Sequence, residues 1–440
     1  LAAVDGQSLT AQTAGGDFSA QYTALTRQIL LDSIALERFS LTYRLQNGRI
    51  STLQKLIFFG TQQAGSSCGL AFEIIADEQF NRARRHPLQL DKGSLKRGLR
   101  TAEVGSIVAA SGSGFELAVN LARSVKNKRH GLDPRSANTL VISKLQHIDG
   151  LLRQRDALIA ANSQHPAHDR AVIEGNILRL MRSAFVNEFA TFSADTRSAT
   201  SVQNLFYLLN ATYNTIGALG AGYGYSAVNK PKLNGTANIL FIVSGAMVGV
   251  TPLICSTELW AERKLILNSL HKKLGGGEFD PAEMAKQRAL LEAAGGEQGS
   301  LMPSLPSTQR MAIYTESNQL FEKQIQNETT TMRKLNKVAV QNLALGPVIG
   351  GLLMTQGILG THGYYSYFPR RIRTQLDLDY KGAVVGTVGT GLAVVGNAAW
   401  LLASLSYEHH LRKNHKLPEQ LIKDRLEHLD ELEKTVTLLK

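Results

Sequence analysis

Cysteine is nearly absent. Cys68 and Cys255 are the only two in 440 residues. They are too few and too far apart for a disulfide framework or a metal-ligand set, and they leave the redox compartment open. Walker loops, dinucleotide fingerprints, H-E-x-x-H and C-x-x-C are all missing, which removes the common phosphate, zinc and dithiol chemistries. Apart from His362, near one end, the six apolar stretches contain no histidine, so axial ligation of a haem or chlorophyll inside them is not expected. His409, His410 and His415 cluster without a completing Cys or carboxylate set, and His165 and His168 fall in an apparent loop; no metal site is assigned to either group. Gly65-Ser66-Ser67-Cys68-Gly69 matches G-x-S-x-G, but a nucleophile elbow needs a strand before it and a helix after it, and no such alternation is found. The chain reads as non-enzymatic, with no cofactor and no metal.

A concentrated basic block is also lacking. Lys and Arg outnumber Asp and Glu by 48 to 36, giving a net charge of +12, yet they are spread along the chain. That distribution fits a solvated basic surface beside a membrane better than a nucleic-acid cleft, and no nucleic-acid partner is expected.

What the chain does have is segregation. Its mean hydropathy, −0.10, averages apolar glycine-rich stretches with long charged helix-forming ones. The tetrapeptide VQNL opens two of the apolar runs, at Val202–Leu205 and Val340–Leu343, and a decayed form, Leu53-Gln54-Lys55-Leu56, opens an earlier one. Pro134 lies 80 residues beyond Gln54, Pro281 78 beyond Gln203, and Pro418 77 beyond Gln341. A second apolar run starts inside each interval, near Val104, Ala237 and Gly382. These landmarks predict an all-α polytopic membrane protein of three tandem repeats, each about 140 residues. The expected division is a polar tail over 1–16 and repeats over 17–165, 166–302 and 303–440. Each repeat has a leading amphipathic helix (17–46, 169–196, 308–336), an apolar hairpin and a closing helix (136–161, 281–295, 418–439). The hairpins are placed at 54–76 with 104–122, 204–227 with 237–257, and 338–361 with 382–405. Pro at the first helical position, with Asp before it at Asp133 and Asp280, is a helix-start signal.

A bilayer crossing needs about 20 mostly apolar residues, and six spans are expected. Small residues stand four apart in these runs: Gly65 and Gly69, Gly220 and Gly224, Gly245 and Gly249, Gly346 and Gly350, Gly382 and Gly386, and likewise Gly105 and Ala109. In lipid such faces let helices approach closely. The hairpin loops are basic, so the positive-inside rule puts them in the cytoplasm, although the flank Lys126, Lys128 and Arg129 is basic too. Both termini then share the other side, periplasmic or lumenal. The small polar opening from Leu1 is what a mature terminus after signal cleavage looks like.

Gln54, Gln203 and Gln341 are read as a membrane-entrance motif, where carboxamides bond at the polar boundary. Glu116 and Glu258 are candidate intramembrane charges, one repeat apart. On the last helix Ile422, Leu429 and Val436 are seven apart, as are Leu432 and Leu439; this a/d seam, interrupted by Arg425, wants a partner helix. The leading expectation is therefore a structural or accessory subunit of a membrane assembly, contacting lipid and other subunits or a second copy through its arms. A transporter or channel of three two-helix repeats is the alternative. Its plan is similar to that of mitochondrial carriers, but their Pro-x-acid-x-x-base signature is absent and the chain is not assigned to them. A soluble basic helical binding protein is the third.

Overall fold

A computed structural model describes residues 18–47, 52–275, 279–294, 345–415 and 417–437. Among them the regular elements are all helical: α1 (Phe18–Asn47), α2 (Thr52–Arg85), α3 (Lys92–Arg129), α4 (Pro134–Ala161), α5 (His168–Ala227), α6 (Asn234–Leu274), α7 (Pro281–Ala293), α8 (345–367), α9 (Ile372–Lys413) and α10 (Pro418–Thr437). The expected leading helix at 308–336 lies outside the described residues.

Proline sets much of this punctuation, because it lacks the N–H that a helix interior needs. Pro87, Pro231 and Pro369 stand in the short links of the three hairpins α2–α3, α5–α6 and α8–α9. Between Pro166 and Pro231 there is none, and the expected arm at 169–196 and the apolar run at 204–227 fuse into the 60-residue α5. Two of the helices that proline opens are capped by the preceding Asp. The Asp133 carboxylate accepts the backbone N–H groups of Arg135 and Ser136, and that of Asp280 accepts from Ala282. Burial pushes the Asp133 carboxyl up, but the hydrogen bonds from Ser136 and Arg135 outweigh it and hold the group below the usual range. Its stabilising contribution is thus present above the unfolded Asp pKa and lost as pH falls through the folded one. Asp133→Ala is expected to cost about 1 kcal/mol of stability at neutral pH, less in acid, read from thermal unfolding at the two pH values.

The helices form two layers. The arms α1, α4, α7 and α10, the first half of α5 and the far end of α6 share one apolar core, including Ile29, Val141, Phe189, Leu270, Met284 and Val436. Below it, six helices form a closed ring. α2 packs on α3, α3 on α5, α5 on α6, and α9 on α2. Two contacts through α8 complete the circle: Gly350 sits against the backbone of Gly245 and Gly249 on α6, and Gly382, Gly386 and Gly389 on α9 lie against Gln356, Leu352 and Leu353. At the α2–α3 crossing, Gly65 faces Gly105 and Ala109. α6 runs 41 residues, about 60 Å at 1.5 Å per residue, so it serves both layers.

Among the described residues three helical stretches, where the sequence predicts six, are long and apolar enough to cross a membrane. They lie in Lys92–Ala161, Pro231–Leu274 and Ile372–Lys413, with mean hydropathies of 1.2, 2.1 and 1.5. By length and composition three of the six expected spans qualify, and the reason is geometric. α2 and α5, the first helices of their hairpins, turn Gln62, Ser66, Asn204, Asn210 and Asn214 into the ring, and those side chains lower the average. The three apolar windows are only 28, 17 and 6% buried. Ile107, Phe115, Val243, Leu253, Val388 and Leu402 are among the side chains they leave outside.

Candidate functional site

The ring encloses a cavity of about 980 Å³. Each of its six helices contributes to the wall, and so does the lower edge of the arm layer. The lining is ordered by depth because the helices run antiparallel. Near the arms stand Lys55, Asn120, Arg123, Asn127, Arg197 and Glu262; half-way down are Gln62, Ser66, Asn210, Thr251, Cys255 and Asn397; deepest are Glu73, Ser106, Ser244, Gln356 and Thr390. The wall ends there. Phe72 packs against Gly98 and Phe241 against Gly220, and further toward the loops Tyr365 covers Gly235.

The polar groups bond to one another across helices. Gln62 on α2 donates to the Ala109 carbonyl (3.0 Å) and Ser113 (3.2 Å) on α3, and Ser113 donates to Asn210 on α5 (2.7 Å). Asn120 on α3 donates to Asn204 on α5 (3.0 Å), and Asn397 on α9 to Ser66 on α2 (3.0 Å). Buried polar groups are costly unless bonded in this way, and a bonded network fixes which helices are neighbours. Pro252 inside α6 has no N–H to offer the Val248 carbonyl, and Val248 is on the wall. Polar lining comes from all three helix pairs.

Two of the sequence candidates meet. Gln54, buried on α2, donates to Glu116 on α3 at 3.4 Å and accepts from Arg123 at 2.6 Å. Glu116 is 1% exposed, and its other oxygen has no hydrogen-bond partner among the described residues. Glu258 is exposed on α6 and does not join them. Gln203 bonds Tyr207 one turn on (2.8 Å), whereas Gln341 lies outside the described residues. Of the glycines, Gly245, Gly249, Gly346 and Gly350 meet at the α6–α8 crossing, Gly346 against Pro252. Gly69 touches Thr390, Gly224 touches Leu99, and Gly382 and Gly386 face Gln356. The seam residues Ile422, Leu429, Leu432 and Val436 are buried in the arm core, where α10 packs on α1 of the same chain; Leu439 lies outside the described residues. Arg425, the break in that seam, pairs with Glu37 of α1.

The buried acid at the deep end of the cavity went unnoticed in the sequence. Glu73 is 4% exposed at the deep end, where the Gln356 amide donates to both of its oxygens (2.7 and 2.9 Å). In FEIIADEQF it stands among other acids and reads as part of a helix exit. Its distance from Gln356, 283 residues, gives no local signal.

This is an all-helical protein with apolar helices compatible with membrane association and a central cavity whose largely apolar wall carries polar side chains. No protein-family model, no curated protein and no solved structure matches the chain.

Proposed function

We propose that the chain is an integral membrane protein, built from three tandem hairpin repeats, that admits a small polar solute or ion into its central cavity. The observation that carries this is the cavity: six helices close around about 980 Å³, and every one of them presents lining residues. A protein that served only as packing would fill this volume with apolar side chains, since polar side chains left bare on a cavity wall cost stability. The largely exposed apolar windows support a lipid surround, because in water such contiguous apolar area is a liability. α2, α5 and α8 then cross the bilayer as the inward-facing members of each pair, with their polar side chains shielded by α3, α6 and α9. Exposed Arg85, Lys92, Arg97, Lys230, Lys232, Arg370 and Arg371 around the hairpin links favour a cytoplasmic placement of those links. The leading sequence expectation, a scaffold subunit, drew on the α10 seam, and α1 of the same chain packs on the part of it that is described.

The test is permeability. Proteoliposomes of the purified chain are compared with empty liposomes for glycerol, urea, sodium and potassium by stopped-flow light scattering or ion-selective flux. At least one probe is expected to cross faster. In a cysteine-free background, Asn397→Cys is expected to react with a charged methanethiosulfonate and to reduce that flux. Permeability equal to empty liposomes for every probe, with Asn397→Cys inert to the reagent, would sink the proposal.

A further inference from the structure

The deep end of the cavity has a charge problem. Glu73 is almost fully buried, and among the described residues no Lys, Arg or His pairs with it and its one partner is the neutral Gln356. An ionised carboxylate taken out of water without a counter-charge is costly by several kcal/mol, so such a group is either neutralised by a proton or held with a cation. The surroundings fit the second case. The Glu73 and Gln356 side chains converge over Gly386: a Cβ at that position would lie 2.6 Å from Glu73 Oε2 and 2.5 Å from Gln356 Oε1. Two acceptor oxygens, one charged and one neutral, are thus brought side by side where α9 has no side chain. Thr390, whose hydroxyl donates to the Gly386 carbonyl (2.8 Å), stands on the same wall. The other wall acids, Asp133 and Glu262, belong to the arm end, so a single negative charge serves this place.

We propose that the Glu73–Gln356 end of the cavity binds one monovalent cation drawn from solvent. This rests on the reading of the cavity as a solute site and names its charge class. A single carboxylate with neutral oxygens matches a monovalent ion better than a divalent one, which takes several carboxylates. Two sources share this chemistry, an alkali-metal ion and a small protonated amine.

The experiment uses the full chain purified in detergent. Thermal unfolding is followed at constant ionic strength while N-methyl-D-glucamine chloride is replaced by sodium, potassium or methylammonium chloride. A ligand that binds only the folded state raises Tm with concentration. The expected result is a saturable rise in wild type with at least one of the three. A response to sodium or potassium identifies a metal-ion site, and a response to methylammonium alone identifies an amine site. Glu73→Asp keeps the charge and is expected to keep the response. Glu73→Gln keeps the shape, removes the buried charge and is expected to fold at least as well, with affinity reduced by about 100-fold or more. Gly386→Ala, which pushes a methyl group between the two oxygens, is expected to weaken it too. Wild type indifferent to all three cations, or Glu73→Gln responding like wild type, would overturn the proposal. The outcome is separable from that of the cavity reading: cation-dependent Tm without flux keeps the site and removes the path, and flux without any cation response does the reverse.

Discussion

Gly350→Ala is expected to damage the protein severely, while Gly351→Ala, the same change one residue on, leaves it intact or slightly steadier. A Cβ at Gly350 would lie 2.3 Å from the Gly249 nitrogen, 2.5 Å from its Cα and 2.6 Å from the Gly245 carbonyl oxygen. All three are backbone atoms of α6, so no rotamer change relieves the clash, and α6 and α8 must separate. Overpacking of this kind typically costs about 1–3 kcal/mol, and a backbone contact belongs at the upper end. A Cβ at Gly351 meets nothing within 4 Å, and in a helix interior Ala is favoured over Gly by roughly 1 kcal/mol. The pair controls for helix propensity. Size-exclusion profiles and unfolding temperatures in detergent check it, and equal behaviour of the two variants would mean that α8 does not close the ring against α6. The consequence reaches function, since this crossing is one of the two contacts by which α8 completes the cavity wall.

How far the sequence disclosed such contacts differs from element to element. The four-residue spacing at Gly245, Gly249, Gly346 and Gly350 marks faces that can approach closely, and these four do meet. Spacing alone says nothing of which helix answers which, and the neighbours α2–α9 and α3–α5 join hairpins far apart in the chain. Helix starts were readable at Asp133 and Asp280 because capping is local chemistry, settled within three residues. The α10 seam was equally visible as a period of seven. Its occupant was not, because α1 carries Leu30, Ile34 and Leu41 on a helix whose apolar and polar residues are poorly segregated. Glu73 shows the limit most clearly. One acid among several on a helix is ordinary in a sequence, and only the ring brings Gln356 and the Gly386 gap beside it. Mean hydropathy is low in α2 and α5 for a related reason: a helix that turns Gln, Ser and Asn side chains into the cavity averages to something unremarkable.

Arg155→Met is the second change expected to have a large effect, this time in the arms. Arg155 on α4 is 0% exposed. Its guanidinium donates to the Tyr22 hydroxyl, to Thr26 (3.1 Å) and to the Ala171 carbonyl (3.2 Å), and lies 3.7 Å from Glu174, which is 1% exposed. Tyr22 in turn donates to Glu174 and holds its ring against the guanidinium, 4.5 Å from centroid to Cζ. One side chain on α4 therefore bonds α1 and α5 together, with no solvent to substitute for it. Removing a single partner of a buried pair costs about 3–5 kcal/mol, because the remaining carboxylate loses its counter-charge. Arg155→Met should lower the unfolding free energy by that amount, while Arg155→Lys should fare little better, since an ammonium cannot reproduce the planar fork that reaches Thr26, Tyr22 and Ala171 together. Adding Glu174→Gln to Arg155→Met should recover much of the loss, because the stranded charge is then gone. If the double variant is as unstable as the sum of the two single variants, the charges are not coupled, and the arm layer is held by the apolar core around Ile29 and Phe189 instead.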